Sequence, residues 1–167
     1  MRHIIGILLQ NESGALSRVA GLFSSRGYNI ESLTVSATDD PALSRITLVT
    51  KGSDSVVQQI VNQLNKLIDV VAVDDMTSDD HLERELALLK LRVRGAQKEA
   101  VRALVAQAGG RVLTDERDCL IAELASSEAA VNELARSLAA QGELLEVVRS
   151  GALAMSRQER SLHVVAG

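Results

Sequence analysis

Four stretches of this chain carry apolar residues at the spacing i, i+3, i+4, i+7, and the remaining apolar sequence is arranged around them. They are Leu16, Val19, Ala20 and Phe23; Val57, Ile60, Val61 and Leu64; Val101, Leu104, Val105 and Ala108; and Val131, Leu134, Ala135 and Leu138. That spacing puts four side chains on one helical stripe, so each stretch predicts a helix with a single buried face. Such faces need a cover, and the intervening segments supply it. His3 to Leu9 is almost wholly apolar, as in a strand buried on both faces. Residues 30–38 alternate, with Leu33, Val35 and Ala37 on one side and Ser32, Thr34 and Ser36 on the other, the period of a half-buried strand. Ser44 to Lys51 alternates again with Ile46 and Leu48 inward, and the turn Thr38-Asp39-Asp40-Pro41 joins the two as an antiparallel hairpin. Val70 to Val73 supplies a fourth strand. The order is βαββαβ, a ferredoxin-like arrangement with both helices on one sheet face.

Residues 74–81 are acidic and lack apolar periodicity, and beyond them the order repeats. Leu82 to Val93 is a strand region, residues 111–115 and 118–124 suggest a hairpin, and Leu144 to Val148 another strand, with the third and fourth helical stripes between. The two halves match in topology and poorly in residues. The fold class is α+β: a βαββαβ domain over 1–76, a linker at 77–81, a second βαββαβ domain over 82–157 and a flexible tail over 158–167. Gly27 suits the left-handed position that ends the first helix, and Ser55 with Gln58 has capping-box spacing for the second.

Composition narrows the function. Hydrophobic residues make up 46% but aromatic ones only 1%, so the core is aliphatic. A net charge of −4 with no aromatic platforms argues against nucleic acid as a partner. The single cysteine, Cys119, excludes an internal disulfide and fits a reducing cytoplasm. No apolar run approaches the roughly 20 residues that span a bilayer. The chain enters an apolar stretch within three residues of Met1, which predicts no signal or transit peptide.

No catalytic motif stands out. His3, His81 and His163 are scattered and read as surface residues, and nothing identifies a base for Cys119, which reads as a small apolar strand residue. The pairs Asp39-Asp40, Asp74-Asp75 and Asp79-Asp80 lack the alternating oxygen ligands of a calcium loop and read as solvated turns, so no metal site is assigned. Gly95, Gly109 and Gly110 have no nucleotide-binding spacing. Lys90, Arg92 and Arg94 alternate on one face of the fifth strand, either a solvated stripe or a docking edge for an acidic surface on a partner.

What remains is the polar turn Asn11-Glu12-Ser13-Gly14-Ala15-Leu16-Ser17-Arg18, which follows an apolar strand and opens the first helix. The first turn of a helix presents N–H groups without intrahelical partners, a seat for a carboxylate. Asn11 and Asn29 bracket that helix, and each offers donor and acceptor capacity suited to an amino acid. They stand about 15–20 Å apart at a rise of ~1.5 Å per residue. One small ligand can contact both only if they come from two subunits, with the pocket on a dimer interface.

At these residues the sequence resembles ACT domains, and more specifically the regulatory small subunits of acetolactate synthase, also called acetohydroxyacid synthase. The resemblance is carried by residues 11–18, Gly21-Leu22-Phe23-Ser24, residues 26–33 (Arg26-Gly27-Tyr28-Asn29-Ile30-Glu31-Ser32-Leu33), Asp39-Asp40-Pro41 and Leu43-Ser44-Arg45, then Val148-Arg149-Ser150-Gly151 and Ser156-Arg157. It implies an N-terminal ACT domain that binds valine and dimerises, followed by an ACT-like domain. It implies an effector site of Asn11, Gly14, Ala15 and Leu16 from one subunit and Asn29 and Ile30 from the other. It also implies a non-catalytic, cytoplasmic chain without a cofactor of its own, whose partner is a large catalytic subunit carrying thiamine diphosphate, magnesium and FAD. The chain would activate that subunit and confer feedback inhibition by valine in branched-chain amino-acid synthesis. A free-standing amino-acid sensor acting on a different enzyme or transporter is the alternative.

Overall fold

Strand β1 (Arg2–Gln10) is buried over seven consecutive residues because it has a strand on either side and apolar side chains on both faces. The computed structural model describes residues 1–159 and 162. After β1 come helix α1 (Ala15–Ser25), strands β2 (Ile30–Ala37) and β3 (Leu43–Lys51), helix α2 (Asp54–Leu64) and strand β4 (Val70–Asp75). The four strands form an antiparallel sheet in the order β2-β3-β1-β4. Both helices contribute to the core on one face of it: Val19 and Phe23 of α1 and Val57, Ile60 and Leu64 of α2 pack with Ile5, Ile7, Leu9, Ile46 and Leu48. Each such fully buried side chain contributes roughly 1.5–3 kcal/mol.

The second half repeats the pattern: β5 (His81–Arg92), α3 (Gln97–Gln107), β6 (Arg111–Glu116), β7 (Cys119–Ser126), α4 (Glu128–Ala139) and β8 (Glu143–Arg149), with strand order β6-β7-β5-β8. Leu89, Leu91, Val101, Val105, Leu120, Val131, Leu134 and Leu138 form its core. The α+β, twice-βαββαβ organisation is therefore present.

Several local expectations are corrected. In α1 the buried residues are Ala15, Val19, Leu22 and Phe23, whereas Leu16 is 39% exposed and Ala20 half-buried. Val19 and Phe23 belong to both stripes, and Ala15 and Leu22 take the buried places expected of Leu16 and Ala20. Helix α2 is capped at Ser53, and Ser55, expected to cap it, lies within its first turn. Asp74 and Asp75 belong to β4 and are not a turn. His3 is 2% exposed, since it lies on β1 beside Thr50, with its Nε2 donating to the Gly52 carbonyl at 3.2 Å. His163 lies outside the described residues.

A ninth strand, β9 (Leu153–Ser156), has no counterpart in the sequence reading. The chain divides into one unit of Met1–Leu82 together with the residues from Ala152 on, and a second of Glu83–Gly151. Ala152 to Ser156 thus group with the first unit, although the sequence reading had put them in the second. There Ala152 and Ala154 form a buried cluster with Ile4, Val49 and Met76 on the sheet face opposite the helices. The Arg45 guanidinium donates to the Ala154 carbonyl at 2.9 Å, and the Ala152 N–H donates to Ser32 Oγ at 3.1 Å. Gly6 leaves room on that face: a Cβ there would stand 2.7 Å from Leu162 and 3.2 Å from Met76. Burial pushes the Arg45 pKa down, opposed by the nearby Asp74 carboxylate. Of the tail expected to be flexible, Gln158, Glu159 and Leu162 are described and the rest lies outside the described residues. Among the described residues no helix is long and apolar enough to cross a membrane.

Candidate functional site

The turn between β1 and α1 is pinned from two sides. Gln10 N–H donates to the Asp69 carbonyl at 2.8 Å, and Asn11 N–H to the Ala42 carbonyl at 2.8 Å. The Asn11 side chain donates through Nδ2 to the Pro41 carbonyl at 3.0 Å, so it is tied to the β2–β3 turn while remaining exposed. The chain then reverses through Glu12 and Ser13, with Ala15 N–H reaching the Glu12 carbonyl at 3.2 Å.

Gly14 caps the helix in the left-handed region, at φ +87° and ψ −12°. That conformation suits glycine and costs a residue with a Cβ. The cap provides no side-chain hydrogen bond, and the first turn of α1 holds no acidic residue. Arg18 N–H donates to the Gly14 carbonyl at 3.0 Å, closing the first intrahelical ring. The N–H groups of Leu16 and Ser17 precede that ring and are ones a helix start leaves without an intrahelical acceptor, whereas that of Ala15 is taken by the Glu12 carbonyl. By contrast α2, α3 and α4 carry Asp54, Glu99 and Glu128 in their first turns.

One feature of the turn escaped the sequence reading. Arg18 forms a bidentate ion pair with Asp69, through Nε to Oδ2 and through Nη2 to Oδ1 at 2.8 Å. The Asp69 side chain is only 6% exposed. The hydrogen bonds from Arg18 hold its carboxyl below the usual carboxylate range, against the opposing effect of burial, and the same bonds raise the guanidinium pKa. The remaining nitrogen, Nη1, lies 3.0 Å from where a Cβ on Gly14 would stand. Arg18 was visible as part of the motif. Its partner, 51 residues away in the α2–β4 connection, carried no local signal.

Asn29 and Ile30 lie past the other end of α1, where β2 begins. Asn29 is exposed, and its carbonyl accepts from Thr50 Oγ1 at 2.6 Å. Ile30 is half-buried against the core. Within one chain the structure brings Asn11, Gly14, Ala15 and Leu16 together and keeps Asn29 and Ile30 apart from them across an 11-residue helix, about 16 Å at the helical rise.

The cationic stripe is partly paired within its own unit. Arg92 donates to Glu143 Oε2 at 2.5 Å and Arg94 to Asp118 Oδ2 at 2.8 Å, while Lys90 lies opposite Ile121 and Glu146 in register. Cys119 is a half-buried free thiol at the start of β7. Among the described residues no group of three or more His, Cys, Asp or Glu side chains could hold a metal ion.

Residues 5–72 match the family model described as the AHAS small subunit-like ACT domain. Residues 84–158 match that of the small subunit of acetolactate synthase. The acetolactate synthase isozyme 3 small subunits of Salmonella typhimurium and Escherichia coli are 43% and 42% identical over 160 residues, covering 96% of this chain and 98% of each relative. A probable acetolactate synthase small subunit of Archaeoglobus fulgidus is 40% identical over 157 residues, covering 94% of this chain and 98% of that one. The crystal structure of the acetolactate synthase small subunit from Thermotoga maritima aligns with a TM-score of 0.86 at 32% identity, covering 96% of this chain and 99% of that chain. With its two βαββαβ units, its glycine-capped turn and these relatives, the chain belongs to the family of acetolactate synthase small subunits.

Proposed function

We propose that this chain is the non-catalytic, cytoplasmic regulatory subunit of acetolactate synthase: it binds the large catalytic subunit, raises its activity and makes it sensitive to valine. Thiamine diphosphate, magnesium and FAD belong to the large subunit in this reading. The valine carboxylate meets the first turn of α1 at Gly14, Ala15 and Leu16, and its ammonium group meets oxygen atoms near Asn11. Asn29 and Ile30 of the partner subunit complete the site in a homodimer joined through the N-terminal units. Leu16, exposed where a core position was expected, is free to pack on the isopropyl group.

The observation that carries this reading is the left-handed glycine cap with neither a capping side chain nor an acid in the following turn. The position of β2 at an edge of its sheet, with Val35 exposed, supports pairing between copies. A ligand held by two subunits favours the dimer geometry that fits it, and only such differential affinity can shift an equilibrium that the catalytic subunit reads. Gly14→Asp puts a carboxylate where the ligand's would sit. The variant should co-purify with the large subunit and activate it, yet show no valine binding in calorimetry and no valine inhibition of the reconstituted enzyme. Unchanged valine affinity in that variant would overturn the site.

A further inference from the structure

The segment that returns to the first unit after Gly151 touches all three consecutive strands β1, β3 and β2. Leu162 fills the space over Gly6 on β1, the Ala154 carbonyl is held by Arg45 on β3, and the Ala152 N–H is held by Ser32 on β2. These anchors are not equivalent. β1 and β3 are interior strands with a partner on either side, whereas β2 is an edge strand paired with β3 alone. Its ladder is also interrupted: Ile30 pairs with Thr50 and Ser32 with Val49, so the register shifts across Glu31. A bulge bends a strand and re-aims its side chains. Ile30 and Ser32 therefore flank the interruption of the β2–β3 ladder. Ser32 is bonded to the first residue of the returning segment, directly after Gly151 at φ +83°.

Resting on the reading that the effector contacts Asn29 and Ile30, we propose that the Ser32–Ala152 hydrogen bond is a latch that couples effector occupancy at the start of β2 to the docking of the C-terminal strand β9. Occupancy at Ile30 orders the bulge, the bulge sets the position of Ser32 Oγ, and Ser32 holds or releases the Ala152 N–H. Arg45 holds the Ala154 carbonyl and Leu162 fills the space over Gly6, so the response is read at the start of the segment, over 152–154.

Amide hydrogen exchange on the full-length chain, with and without saturating L-valine, tests this beside calorimetry on the same samples. Valine should slow exchange over 152–154 about fivefold or more, the factor set by the net contribution of one hydrogen bond. In Ser32→Ala the valine-dependent change at 152–154 should vanish while valine affinity stays within about threefold. Ser32→Thr, which keeps the hydroxyl, should restore it and guards against a folding defect in the alanine variant. Valine binding with unaltered exchange at 152–154 in the wild type, or an identical change in Ser32→Ala, overturns the latch and leaves the effector reading standing. No calorimetric binding of valine to the wild type overturns the effector reading, and the latch with it.

Discussion

Replacing Gly14 with alanine should cost the N-terminal unit about 1–2 kcal/mol, nearly all of it from the backbone. Gly14 sits at φ +87°, where an L residue carries Cβ too close to the following carbonyl, at about 1–2 kcal/mol. The steric part is small. A new Cβ would meet Nη1 of Arg18 at 3.0 Å, so the guanidinium, paired with Asp69 through its other two nitrogens, need shift by only a few tenths of an ångström. Two comparisons separate strain from clash. Asparagine is larger than alanine but better suited to the left-handed region, so Gly14→Asn should cost less than Gly14→Ala. In a double-mutant cycle Gly14→Ala and Arg18→Ala should be close to additive, because a contact relieved by so small a shift recovers little. Urea unfolding followed by circular dichroism, fitted with separate transitions for the two units, gives the required differences. A greater loss for asparagine than for alanine, or recovery on adding Arg18→Ala, would show that side-chain crowding sets the residue at this position.

In the second unit Asp115 accepts from Lys98 at 2.6 Å and from Arg102, and these bonds hold its pKa below the ordinary 3.8. A depressed folded value contributes stability that is present above the unfolded pKa and lost as pH falls through the folded one. Asp115→Asn should therefore flatten the acid limb of that unit's stability below about pH 4–5, and an unchanged limb in pH-dependent unfolding would remove the role. Met76 is fully buried between the sheet and β9. Met76→Ala should destabilise the first unit by about 2–5 kcal/mol, seen as a lower denaturation midpoint with an unaltered slope. Asn29→Ala should weaken valine binding by about 1–3 kcal/mol in calorimetry through its lost side-chain hydrogen bonds, while the Thr50 bond to its main-chain carbonyl keeps the start of β2 in place.

The order of the first eight strands and four helices was legible because each helix shows a clear apolar stripe and each strand is either continuous or alternating. Details failed where the chemistry was ambiguous. The beginning of α1 is apolar at 15, 16, 19, 20, 22 and 23, so periodicity alone could not choose between two adjacent faces. Ser53 and Ser55 are equally good caps by type, and only backbone geometry distinguishes them. β9 is invisible to pattern because its inward residue is Ala154 and its outward ones, Leu153 and Met155, are apolar and exposed, the reverse of the usual contrast. The glycine-capped turn was readable from Gly14 and the polar residues around it. The Arg18–Asp69 pair was not, since an ion pair across 51 residues leaves no trace in local spacing.

The placement of β9 makes the first unit discontinuous in the chain, with consequences for its synthesis. Strands β1 to β4 and both helices can close the helical core once Asp75 has left the ribosome, but the opposite face, with Ile4, Val49 and Met76, still lacks its cover. The covering residues are translated roughly 4–15 s later at 5–20 residues per second, after the whole second unit. During that interval the nascent chain carries a folded domain with an open apolar face, and a fragment cut within 77–81 would carry it permanently.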